Sequence, residues 1–99
     1  MLWKFEASNL LKEFELSNNP IVVTVNKFDE QSSEEFRNKF SMAQNTGQKV
    51  IPVVIDSYGG QVYSLMSMMA TIRASPLPVA TIAEGKAMSC GAVLLTCGE

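Results

Sequence analysis

Residues 50–55 read Val50-Ile51-Pro52-Val53-Val54-Ile55, a run without a single polar side chain. A strand with one face in water alternates apolar and polar residues. A strand without alternation is covered on both faces, as happens inside a parallel sheet. Pro52 weakens this reading slightly, because proline has no N–H for a ladder. Downstream, Ser57-Tyr58-Gly59-Gly60 is loop chemistry. Val62, Leu65, Met66, Met69 and Ile72 then keep helical spacing as far as Arg73. Ser75-Pro76-Leu77-Pro78 stops that helix. Val79-Ala80-Thr81-Ile82-Ala83 reads as another strand, Glu84 to Met88 as a loop, and Ser89 to Thr96 as a helix starting at Ser89.

Upstream, Ile21-Val22-Val23-Thr24-Val25 is short and β-branched, hence a strand. Ser32 and Glu35 form a capping-box pattern. Phe36, Phe40 and Ala43 follow at i, i+4 and i+7, which predicts an amphipathic helix of about three turns. Gly47 is the expected C-cap. The element order is β-α-β-α-β-α, an α/β layered fold of βα units with a largely parallel sheet and right-handed crossovers. Residues 1–19 hold Trp3, Phe5, Leu10, Leu11, Phe14 and Leu16 among charged residues and read as an unassigned N-terminal arm. Residues 20–99 read as one folded unit. Its βα series halts partway, so the fold is expected to be incomplete at the carboxyl end.

Composition bounds the function. The 99 residues are 46% hydrophobic and 18% charged, which suits one globular domain or part of one. With 8 basic and 10 acidic residues there is no positive excess to neutralise phosphates, so no nucleic-acid partner is expected. No apolar run approaches the roughly 18 residues of a membrane helix, and the N-terminus lacks the apolar core of a secretory signal. Cys90 and Cys97 would lie about 10 Å apart on a helix. A disulfide tolerates roughly 7 Å between Cα atoms, so free thiols in a reducing cytoplasm are expected. The chain has no histidine. It therefore cannot form a Ser-His or Cys-His pair by itself, nor a histidine-bearing zinc site, and no metal or cofactor is expected.

Ligand sites in α/β folds lie beyond the carboxyl ends of strands. The loops Ser57-Tyr58-Gly59-Gly60-Gln61 and Gly85-Lys86-Ala87-Met88-Ser89-Cys90-Gly91 both leave a strand and open a helix. Ala87-Met88-Ser89-Cys90-Gly91 has the small-x-Ser-x-Gly form of a nucleophile elbow. There the Ser89 hydroxyl would project at the helix start, and the Cys90 N–H would face a developing oxyanion. Gly59-Gly60 would bring a second N–H close, since no Cβ obstructs approach. Each such donor is worth roughly 3–4 kcal/mol of barrier. Plainer readings stand beside these. Serine at a helix start is commonly an N-cap, and Gly-Gly is commonly a turn. Asp56 reads as a cap for its own loop or as an acid partner. Lys86 reads as a solvent-facing charge or as a base, and Glu84 as a solvated charge. Met66, Met68 and Met69 read as packing for the core or a subunit interface.

Taken together, Ile55-Asp56-Ser57-Tyr58-Gly59-Gly60-Gln61-Val62 resembles the Ser-Pro-Gly-Gly segment of the Clp-type serine peptidases, within the ClpP/crotonase superfamily. Gly85 to Ala92 resembles their Gly-Gln-Ala-Ala-Ser-Met-Gly-Ala nucleophile segment. The resemblance covers residues 20–99, the first half of that fold. It implies Ser89 as nucleophile, the Gly60 and Cys90 amides as oxyanion hole, and Tyr58, Gly59, Gln61 and Val62 beside an extended polypeptide substrate. It further implies a homo-oligomeric ring fed by an ATP-driven unfoldase, with phage head-maturation proteases among the relatives. The family's histidine and aspartate follow the serine, beyond residue 99, so these 99 residues would be catalytically incomplete. Tyr58 stands where the family has proline, and Lys86 and Met88 where it has glutamine and alanine. A crotonase-type acyl-CoA enzyme on the same fold, and a non-catalytic subunit that assembles with active protomers, are the competing readings.

Overall fold

The computed structural model describes residues 20–98, and the arm expected at 1–19 lies outside the described residues. The elements are β1 (Val23–Val25), α1 (Glu30–Gln44), β2 (Ile51–Ser57), α2 (Val62–Arg73), β3 (Val79–Ala87) and α3 (Cys90–Leu95). The strands pair in parallel in the order β1-β2-β3. The chain is thus of the α/β class, with a three-stranded parallel sheet.

β2 is the central strand, as its unbroken apolar run requires. Ile51, Val53 and Ile55 are wholly buried, Pro52 is buried, and Val54 is half-buried. Pro52 is accommodated by position. The Ile51 N–H donates to Pro78 O at 3.0 Å, toward β3. Alternation turns the Pro52 nitrogen to the β1 side, one residue before that ladder begins at Val23↔Val53. The missing donor therefore costs no ladder bond.

α1 buries Ser33, Phe36, Phe40 and Ala43, the stripe its spacing predicts. Its start differs from the expected one. Asp29 is the N-cap and its carboxylate accepts the Ser32 N–H at 2.7 Å, while the Ser32 hydroxyl accepts the Asp29 N–H at 2.8 Å. Ser32 is thus the third helical residue rather than the cap, because aspartate and serine fill the two reciprocal places of the box. These bonds from Ser32 hold the Asp29 carboxyl below the usual range. The helix ends at Gln44 with Asn45 as C-cap, so Gly47 (φ +85°) lies beyond the cap position expected for it.

α2 has the expected bounds, but its buried stripe is Ser64, Leu65, Met68 and Ile72, leaving Val62 and Met66 exposed. The expected stripe of Val62, Leu65, Met66, Met69 and Ile72 is shifted because Ser64, a polar residue, faces inward. It hydrogen-bonds Ser33 at 2.6 Å and donates to Asp29 O at 3.0 Å. β1 is shorter than expected, and β3 runs on to Ala87 through residues 84–87, expected to be loop. α1 lies on β1 and β2 and beside α2, and α3 lies against α2, β2 and β3.

The Phe36 and Phe40 rings stack at 5.6 Å within one core that gathers side chains from all six elements. Gln48, a buried side chain, holds the chain entering β1 to the start of β2. It accepts the Ile21 N–H at 2.9 Å and donates to Ile21 O at 3.1 Å and Val50 O at 2.7 Å. Replacing Phe40, 1% exposed, by alanine is expected to cost about 3–5 kcal/mol by loss of transfer energy and creation of a cavity. Urea unfolding of Phe40→Ala against the parent chain reads this as a lowered midpoint.

Candidate functional site

Because β2 and β3 are parallel neighbours, their carboxyl ends share one rim of the sheet. Their register runs in step from Ile51↔Val79 to Ile55↔Ala83 and then shifts to Ser57↔Ala87. Asp56 on β2 therefore faces three residues of β3, Glu84, Gly85 and Lys86, which form a bulge. The pairing resumes with the Met88 N–H donating to Ser57 O at 3.0 Å. Ser89 follows at once.

Ser89 has φ 54° and ψ −117°, and among the described residues no other non-glycine residue has positive φ. Such a backbone costs of order 1–3 kcal/mol and persists only where its surroundings impose it. Here the Ser57 contact holds the strand end on one side, and the buried Cys90 and Gly91 anchor α3 on the other. Ser89 occupies the N-cap position of α3, but its hydroxyl makes no capping bond and the residue is exposed. Side-chain capping therefore does not account for a serine at this place.

The other bend lies directly alongside. A Cβ on Gly59 (φ +118°) would stand 2.8 Å from Ser89 Cβ and 3.2 Å from both Ser89 Oγ and Met88 O. Only a residue without a side chain fits this approach. Gly60 is equally constrained, since a Cβ there would stand 2.5 Å from Phe28 O. Phe28 forms a parallel bridge with Gly60, and the Gln61 N–H donates to Phe28 O at 2.7 Å. The Ser57 hydroxyl accepts the Gly59 N–H at 3.1 Å, and the Cys90 thiol donates to Gly60 O at 3.4 Å. Among the described residues, the N–H groups of Gly60 and Cys90 have no acceptor. Ser89, Gly59, Gly60 and Cys90 are thus brought together. Gln61 and Val62 open α2, both exposed, and Tyr58 is 75% exposed.

Lys86 and Asp56 differ from expectation. Lys86 Nζ lies 2.8 Å from Asp56 Oδ1 and 4.7 Å from the centre of the Tyr58 ring, so it is engaged rather than simply solvated. The Lys86 N–H donates to the same carboxylate oxygen at 3.3 Å. Asp56 therefore caps the bulge of the neighbouring strand, not its own loop. The Lys86 ammonium holds the Asp56 carboxyl below its usual value, and the Asp56 carboxylate pushes Lys86 above its own. A lysine made less acidic is poorly suited to act as a base near neutrality. Sequence reasoning had the charges but not the bulge that turns Lys86 back onto Asp56. It also missed Phe28, whose carbonyl and Cβ both close against Gly60.

Among the described residues no group of histidine, cysteine, aspartate and glutamate is placed to hold a metal ion, and both cysteines are free thiols. No helix there is long and apolar enough to cross a membrane. A groove of about 560 Å³ runs along β1 and α1, lined by residues that include Asn26, Lys27, Glu35, Lys39 and Met42, with none of the residues around Ser89.

Two outcomes follow from this geometry. Gly59→Ala should lower stability by about 1–3 kcal/mol through its strained φ and the collision with Ser89, and should shift the Ser89 and Cys90 amide resonances. Denaturant unfolding and NMR read both. The Asp56 pairing is intact above the carboxyl's lowered pKa and below the lysine's raised one. It is lost as pH falls through the first or rises through the second. The Asp56 carboxyl carbon should titrate below an ordinary aspartate, and Lys86→Met should return it toward the ordinary value.

A family profile described as Clp protease matches residues 6–99. The ATP-dependent Clp protease proteolytic subunit of Deinococcus radiodurans is 42% identical over 57 residues, 58% of this chain. The matched stretch covers 28% of that relative's own length. With its parallel α/β sheet and a family match that runs through both bends, the chain belongs to the Clp protease family.

Proposed function

We propose that these residues carry the nucleophile side of a serine endopeptidase site. One observation carries the reading: Ser89 is held at positive φ, its hydroxyl bonded to no cap, against a glycine pair from the neighbouring strand-to-helix bend. In this mechanism the Ser89 oxygen attacks a peptide carbonyl carbon, and the carbonyl oxygen becomes an oxyanion. The Gly60 and Cys90 N–H groups, which have no acceptor among the described residues, donate to it. The hydroxyl proton passes to a histidine from outside these 99 residues, which contain none. Collapse of the intermediate breaks the C–N bond, and the amine leaves with that proton. Water then attacks the acyl-serine by the reverse use of the same base, releasing the acid and restoring the hydroxyl.

The polypeptide substrate lies extended beside Tyr58, Gly59, Gln61 and Val62, paired through its backbone as an added strand. Family membership supports a ring of copies as the working form, and the name of the Deinococcus radiodurans relative supports an ATP-dependent partner. The free thiols of Cys90 and Cys97 fit a reducing cytoplasm.

In an assembly that supplies the histidine, the parent sequence should cleave unfolded polypeptide and take a fluorophosphonate label on Ser89. Ser89→Ala should abolish labelling and lower turnover by roughly 10⁶-fold, the scale of losing a serine nucleophile. Cleavage retained by Ser89→Ala overturns the proposal. So does an unlabelled Ser89 in a chain that binds acyl-CoA thioesters.

A further inference from the structure

In the loop 57–60 the glycines are held through their backbones, by the Ser57 hydroxyl, the Cys90 thiol and the bridge to Phe28, whereas Tyr58 before them projects into solvent, 75% exposed. The contact recorded on the Tyr58 ring is the Lys86 ammonium, 4.7 Å from its centre. Lys86 is itself fixed twice by one atom, since Asp56 Oδ1 accepts both its N–H at 3.3 Å and its ammonium at 2.8 Å. That double contact requires the bulge, which sets three residues of β3 against Asp56. The bulge in turn requires a glycine at Gly85. Its φ is +93°, and a Cβ there would stand 3.1 Å from Asp56 Oδ1. Asp56, Lys86 and Tyr58 thus link the strand end before Ser89 to the loop beside it.

We propose that Lys86 is a positioning residue: oriented by Asp56, it holds the Tyr58 ring and so fixes the direction in which residues 57–60 present the Gly60 amide beside Ser89. The significance of that amide rests on the function proposed above, but the clamp itself is a separate physical claim. As a stability device the pair would be weak. Its side chains are 36% and 40% exposed, and exposed ion pairs contribute little. Its effect is on order. One face of an exposed ring is tied to a lysine whose ammonium is held by Asp56 Oδ1, an oxygen that the Lys86 backbone N–H also fixes. The glycine pair follows the ring because Tyr58 is its chain neighbour.

The test is NMR relaxation on the whole chain, with no dependence on catalysis. In the parent chain the Lys86 ε-methylene protons should be shifted upfield by the Tyr58 ring current. The Gly59 and Gly60 N–H order parameters should sit near the rigid value of about 0.85. Lys86→Met keeps the stem but removes the charge, and should drop both order parameters toward about 0.6 while Val53 in β2 is unchanged. Lys86→Arg should restore them. Tyr58→Phe should keep the methylene shift and Tyr58→Leu should abolish it. Unshifted Lys86 methylenes in the parent chain overturn the proposal, as do Gly59 and Gly60 order parameters indifferent to Lys86→Met. If the clamp behaves as described while Ser89→Ala still cleaves peptide, the clamp stands and the proposed reaction falls.

Discussion

The structure depends on the parallel pairing of β2 with β3 and on the bulge that interrupts it. Parallel strands end on the same rim, so whatever follows each strand meets there. Had the register run on in step from Ile55↔Ala83, Ser57 would have faced Gly85, two residues short of its observed partner Ala87. The extra length of β3 carries the chain past Asp56 and delivers Met88 to Ser57 O, so that Ser89 turns beside Gly59. The bulge is also what brings Lys86 onto Asp56. One irregularity in the ladder therefore sets both the place of the serine and the contact that flanks it.

A strained residue needs rigid surroundings, and the core provides them. Ile55 and Leu94 are wholly buried on either side of the bend, and Gly91 sits close enough to Ile55 that a Cβ would meet its Cγ2 at 3.4 Å. α3 spans only six residues, too short to be stable alone. It is held by burial of Cys90, Gly91 and Leu94 against β2, β3 and α2. The helix follows from packing, and the backbone of Ser89 follows from where that packing puts its first turn.

Much of the fold was legible because it rests on local periodicity. The unbroken run Val50–Ile55 marked the central strand, and Phe36, Phe40 and Ala43 marked the buried face of α1. What the sequence hid was set by contacts between segments distant in the chain. Ser64 reads as a surface residue until Ser33 and Asp29 O are brought to it. Residues 84–87 read as loop because Glu84, Gly85 and Lys86 are poor strand formers, and only the Ser57↔Ala87 pairing makes them strand. Asp29 does not stand out as a cap in the sequence because its box partner is serine instead of glutamate. At the site, the motif picked out the two bends. The nearness of Gly59 to Ser89 is a fact of strand register that no single motif states.

The central claim is that the two bends touch, and the most direct measurement is cross-relaxation between the Gly59 α-protons and the Ser89 β-protons in the folded chain. With a Gly59 Cβ position only 2.8 Å from Ser89 Cβ, a strong cross-peak is expected, joined by one between the Gly60 amide region and Cys90. If no such cross-peak appears while the β2–β3 pairs around Val53 and Thr81 show theirs, the sheet is right but the bends are apart, and the account is contradicted.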